Sequence, residues 1–215
     1  KNDPFKQTYL AQVREAQAQH QTFRDATKNI RVPGRFSDTP LSQQLQKVAQ
    51  SIKAADALNM PQQTFFLRYI GWDHHDELLN NHASMLRVLS QALGEFQSAL
   101  DAMGLSQQVV TFTGSDFGRT LTSNGNGTDH GWGGNTLVMG DAVSGGKIFG
   151  DYPSLALRNN PLDAGDGVLI PTTSTDQLYA ELAHWFGVPR NQLTTLFPNL
   201  KNFSGRSPLA SLIQA

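Results

Sequence analysis

Thr64-Phe-Phe-Leu-Arg-Tyr-Ile-Gly-Trp-Asp-His-His-Asp76 is the stretch on which the reading of the fold turns. Its first seven residues are mostly apolar and rich in aromatic and β-branched types, as expected of a strand buried on both faces. Gly71 breaks the run, and four consecutive polar residues follow. Downstream, Leu78, Met85, Leu86, Leu89, Leu93, Phe96 and Leu100 line one side of a helix running from about Glu77 to Met103, with Gly104 at its C′ position. Val109 to Thr113 then reads as a second strand. Strand, long helix, strand is a βαβ unit, which makes the two strands parallel with a right-handed crossover. The expected fold class is therefore α/β, a mostly parallel sheet with flanking helices.

That topology has a functional consequence. Ligands of open α/β sheets gather beyond the carboxyl ends of the strands, and polar clusters occupy both such positions. The second cluster is Phe112-Thr-Gly-Ser-Asp-Phe-Gly-Arg-Thr-Leu-Thr-Ser-Asn-Gly-Asn-Gly-Thr-Asp-His-Gly-Trp-Gly-Gly134. A glycine-rich connection of this length that carries Asp116, Arg119, Asp129 and His130 points to a site. Asp73 and His75 are expected beside Asp116.

Elsewhere the chain reads as a polar helix from Phe5 to about Lys28, a loop over residues 31–39, and a helix capped by Thr39 and Pro40. The apolar face of this second helix is Leu41, Leu45, Val48 and Ile52. Residues 136–139, 145–150 and 167–170 suggest short strands. Thr175 opens a helix closed by Gly187, and residues 189–215 read as loops and short turns. The expected organisation is a helical lead-in over 1–36, an α/β body over 37–205 and a tail over 206–215.

Composition narrows the function. The 215 residues carry a formal charge of −1, which gives no electrostatic case for nucleic acid. No run approaches the roughly 18 apolar residues of a membrane span. Cysteine is absent, so disulfides and thiolate metal sites are excluded. The glycines form no phosphate-binding or dinucleotide fingerprint, and Ser115 lies in no nucleophile elbow.

Asp73, His74, His75, Asp76, Asp116, Asp129 and His130 offer oxygen and nitrogen donors suited to zinc, manganese, magnesium or calcium. Asp73 and His75, two apart, can point the same way while His74 faces elsewhere. The competing reading is that the Asp-His-His-Asp run caps the next helix, that Asp116 pairs with Arg119, and that His130 bonds loop backbone. Arg119 among glycine amides could hold an anion, and Trp132 could be a substrate platform or simple loop packing.

Phe66-Leu-Arg-Tyr-Ile-Gly-Trp-Asp-His-His75, Ser115-Asp-Phe-Gly-Arg-Thr120, Asn124-Gly-Asn-Gly-Thr-Asp-His-Gly-Trp-Gly-Gly134 and Gly145-Gly-Lys-Ile-Phe-Gly-Asp-Tyr-Pro153 resemble a bacterial family of exported, twin-arginine-signal proteins, a domain of unknown function. That family is similar to the alkaline phosphatase and sulfatase superfamily. The resemblance, over about Ser37 to Phe203, implies the carboxy-terminal portion of an alkaline-phosphatase-like domain in a periplasmic or secreted protein. It implies metal ligation by Asp73, His75, Asp116 and His130, with Arg119, His74, Asp129 and Trp132 as anion or substrate contacts. Phe117 stands where the superfamily has a histidine, and the superfamily's nucleophile and first metal-binding carboxylate have no counterpart in this chain. The expectation is a metal-dependent hydrolase-like protein holding zinc, manganese or calcium and acting on small-molecule or carbohydrate esters of phosphate or sulfate. The alternative is a non-catalytic exported protein that binds metal or carbohydrate.

Overall fold

A computed structural model describes residues 3–203 and 207–214. The chain divides into two compact units, Lys1–Tyr69 with Val88–Met103, and Ile70–Arg87 with Gly104–Ala215. The expected boundary between residues 205 and 206 falls outside the described residues.

The first unit is helical. α1 (Pro4–Thr27) starts where the Asp3 carboxylate accepts the amides of Phe5 and Lys6, and Pro4 supplies a first-turn residue needing no donor. Its polar sequence leaves Thr27 as its one buried residue. α2 (Pro40–Lys53) begins at the Thr39 cap. It buries Leu41, Leu45 and Ala49 together with Ser42 and Ser51, whereas Val48 and Ile52 are half-buried. The inward face thus keeps the expected Leu41 and Leu45 and adds the small residues Ser42, Ala49 and Ser51 beside them. A short helix, α3 (Ala55–Leu58), ends at Asn59 in a left-handed conformation.

α4 (Leu78–Met103) buries Ala92, Phe96, Ala99 and Leu100 in its second half, and Gly104 follows with φ +69°. Glu95 on this helix is a hub. Its carboxylate accepts the Ser37 amide at 3.0 Å, the Ser37 and Ser42 hydroxyls, and the Gln91 amide at 2.9 Å. Partial burial alone would raise the Glu95 pKa. The bonds from Ser42, Ser37 and Gln91 outweigh it and hold the carboxyl below its ordinary value.

The second unit corrects the expected sheet. Two separate two-stranded antiparallel sheets replace the parallel one: β1 (Thr111–Phe112) with β4 (Val138–Met139), and β2 (Gly118–Ser123) with β3 (Thr128–Gly131). Thr64–Ile70 forms no strand, and Phe66 and Ile70 are 89% and 71% exposed. Residues 145–150 form no strand either, and the 167–170 segment contributes one antiparallel bridge, Asp163 to Leu169. The physical reason is that an apolar β-prone run becomes a strand only when another backbone satisfies its ladder. The partner of β1 arrives from the local, downstream β4. No parallel pair forms among the described residues, and the βαβ unit and the alkaline-phosphatase-like sheet fall with it.

α5 (Thr175–Trp185) carries a full capping box, Ser174 with Gln177, and ends ahead of Gly187 at φ +112°. Its Leu178 packs with Val143, Leu209 and Leu212 in a buried cluster. The last described segment is therefore core rather than a loose surface tail. Ser144 and Gln214 fix it through backbone bonds with Leu212 and Ala142. α6 (Leu193–Leu196) adds the buried Leu193. No helix among the described residues is long and apolar enough to cross a membrane.

Candidate metal centre

The β2–β3 hairpin is closed by Asn124-Gly-Asn-Gly127. The Asn124 amide donates to Gly127 O, and Gly127 N donates back to Asn124 Oδ1 at 2.9 Å. Gly125 takes φ +121°, which only glycine adopts readily. In this register Arg119 stands directly opposite His130, so both side chains project from one face of the ribbon.

The 71–77 loop lies against the ribbon. Gly71 turns the chain at φ +106°, and two tight backbone bonds follow, His74 N to Trp72 O and His75 N to Asp73 O. Thr128 N donates to His74 O, Asn124 Nδ2 to His75 O, and Arg119 Nη2 to Trp72 O. Gly127 makes the approach possible. A Cβ there would overlap the His75 carbonyl and lie 2.6 Å from His74 O.

Docking the loop in this way brings three donors together. Asp73 Oδ1 lies 2.7 Å from His130 Nε2 and 3.0 Å from His75 Nε2, and the two Nε2 atoms are 3.3 Å apart. Among the described residues, this is the one group of three or more such side chains in mutual reach. All three side chains are about half exposed. The His130 hydrogen bond holds the Asp73 carboxyl below its ordinary range. Slight burial opposes this, and the charges of His75, His130 and Arg119 assist it. Asp73 is therefore a ready-ionised oxygen donor.

The donor set fits a metal. Ligands about 2.0–2.1 Å from one ion sit roughly 2.9–3.4 Å apart at octahedral to tetrahedral angles, the range these atoms nearly span. Their triangle would occupy one face of an ion and leave the solvent side for exchangeable ligands. Two imidazoles and one carboxylate match zinc or another transition metal better than calcium, which takes six to eight oxygens.

The remaining predicted residues are distributed as follows. Asp116 is exposed and outside the donor triangle. Arg119 turns to Asp73, at 3.2 Å, rather than to Asp116, and its guanidinium also donates to Thr128 O and Trp72 O. Those contacts make it a clamp between loop and ribbon. His74 points inward, is 7% exposed, and meets Trp72 and His82 edge-on. Burial pushes its pKa down, with His82 and Arg119 acting in the same direction and Asp73 against. Trp132 is 67% exposed. Asp129 Oδ1 lies 3.1 Å from His75 Nδ1 and accepts from Asn124 Nδ2 at 3.2 Å.

Two neighbours were not foreseen. Phe117 stacks flat on the His130 ring, centroids 4.0 Å apart and planes 5° off parallel, with the Arg119 guanidinium 5.2 Å over its own ring. Asn124 joins Asp129 to the loop backbone. In sequence, residues 112–134 read as one long connection, and neither the hairpin nor this bridging role was foreseen, although Asn-Gly is the residue pair that favours a tight hairpin turn.

Residues 4–201 match the family described as "Protein of unknown function (DUF1501)". No curated protein and no solved structure matches the chain.

Proposed function

The chain belongs to the DUF1501 family, and from its site geometry we propose a metal-dependent hydrolase-like protein in which Asp73, His75 and His130 hold one divalent ion. The observation that carries this reading is the convergence of Asp73 Oδ1 and the two Nε2 atoms within 2.7–3.3 Å on a solvent-facing surface. Two nitrogens in three donors favour zinc or manganese over calcium. When bound, such an ion supplies Lewis acidity toward a phosphoryl, sulfuryl or carbonyl oxygen. The chain's own residues prepare the site. His130, with the charges of His75 and Arg119, lowers the Asp73 pKa, Phe117 stacks on the His130 ring, and Gly127 lets the loop approach the ribbon.

The substrate class, small-molecule or carbohydrate esters of phosphate or sulfate, comes from the motif resemblance. It draws nothing from the fold, whose small sheets are antiparallel. Export to the periplasm or beyond belongs to the same resemblance.

A second reading is favoured by the density of loop-to-ribbon bonds around the triad: the ion staples two segments more than forty residues apart and turns nothing over. Purified protein equilibrated with zinc, manganese or calcium and assayed on aryl phosphates and sulfates separates the two. Stoichiometric zinc or manganese with turnover lost in His130→Ala supports the hydrolase. Binding with raised thermal stability but no turnover supports the staple, and absence of any retained ion rejects both.

A further inference from the structure

We infer that Asp129 is a positioning residue: it locks His75 in the tautomer protonated on Nδ1, so that an unprotonated Nε2 faces Asp73 and His130. The inference rests on the metal reading and assigns Asp129 a place behind the ligand His75 rather than in contact with a substrate.

A neutral imidazole carries one N–H, and the bond made by one ring nitrogen decides what the other can do. His75 lies between two carboxylates. Its Nδ1 is 3.1 Å from Asp129 Oδ1 and its Nε2 is 3.0 Å from Asp73 Oδ1. The two acceptors are not equivalent. Asp73 Oδ1 already receives His130 Nε2 at 2.7 Å and Arg119 Nη2 at 3.2 Å. Among the described residues, Asp129 Oδ1 receives only the neutral Asn124 amide besides its contact with His75. The single His75 proton is better placed on Nδ1, toward the less-served carboxylate, and the Nε2 lone pair is left facing the triad.

The carboxylate is itself held in place. Asn124 Nδ2 bonds both Asp129 Oδ1 and the His75 carbonyl, each at 3.2 Å, and Asn124 is fixed in turn by the Gly127 amide. The Asp129 amide donates to Thr120 Oγ1 at 3.1 Å, on a residue that is buried. Backbone and side chain of Asp129 are both anchored before any ion arrives. Carboxylate, imidazole and ion in series is the arrangement by which outer partners orient a metal-bound histidine and raise its basicity. Asp129 and His130 are consecutive on β3, so one short strand supplies a ligand and the orienter of another ligand.

The test reads the tautomer directly and needs no metal. Nitrogen chemical shifts of the His75 ring, assigned with His75→Gln, are expected to show Nδ1 protonated in the neutral wild-type form. Asp129→Ala is expected to abolish that bias and weaken zinc binding about 10- to 100-fold with little change in Tm. Asp129→Asn, which keeps an acceptor, is expected to restore most of the bias and part of the affinity. A bias that survives Asp129→Ala, or a wild-type His75 protonated on Nε2, overturns the inference even where zinc binds. A wild type that binds no zinc rejects the metal reading, while a bias lost in Asp129→Ala would still uphold the lock.

Discussion

His130 Nε2 lies 2.7 Å from Asp73 Oδ1 although 57 residues separate the two in sequence. That contact is the shortest side of the donor triangle and the main cause that holds the Asp73 carboxyl below its ordinary range. It exists because the 71–77 loop docks on the β2–β3 ribbon rather than ending a strand in a shared sheet.

Loss of a ligand should therefore cost more than loss of the residue behind it. Asp73→Ala and His130→Ala are each expected to weaken zinc binding by on the order of a hundredfold or more, beyond the effect of removing an outer partner. Titration calorimetry checks this. Affinities within a factor of two of wild type would remove the triad from consideration.

Arg119 should behave as a clamp. Its guanidinium bridges Thr128 O, Trp72 O and Asp73, and lysine cannot reproduce that fork. Arg119→Lys is expected to lose about 1–2 kcal/mol of stability, read by chemical denaturation, with weaker metal binding as a consequence. Unchanged stability together with lost anion affinity would instead make it a substrate contact.

Two glycines should respond in opposite directions. At Gly127 a methyl group would collide with the His74 and His75 carbonyls, so Gly127→Ala should destabilise by about 1–3 kcal/mol and separate loop from ribbon. Gly94 sits inside α4 with nothing within 4 Å of its would-be Cβ. Gly94→Ala should stabilise by roughly 0.5–1 kcal/mol. Thermal melts of both variants decide the matter.

Acid should weaken the Glu95 hub. Its folded pKa lies below the ordinary glutamate value, so its contribution is full above the unfolded pKa of about 4.3 and disappears as pH falls through the lower folded value. Glu95→Gln is expected to melt below wild type at neutral pH, with the gap closing below about pH 4. A constant gap across that range would contradict the assignment.

Much of the local structure was legible. Thr39-Pro40, Gly104 and Gly187 mark helix ends through capping and φ preferences that act over a few residues, and the structure keeps each of them. The glycine-rich stretch carrying Asp129 and His130 pointed to a site, and residue types without cysteine limited any metal to nitrogen and oxygen donors. The fold class was not legible, because Thr64–Ile70 satisfies the pattern of a buried strand while strand formation depends on a partner backbone. Asp116 looked equivalent to Asp73 for the same reason, since only pairing decides which carboxylate reaches His130.

Sequence alone thus determined the four longer helices, most of their caps and the inventory of candidate ligands. Each depends on interactions within a few residues. The tertiary structure decided that β1 pairs antiparallel with β4, that Arg119 serves Asp73 rather than Asp116, and that Asp129 faces His75. The last two follow from how a loop settles on a ribbon more than forty residues away, where excluded volume at Gly127 and shared hydrogen bonds, not local propensity, select one arrangement.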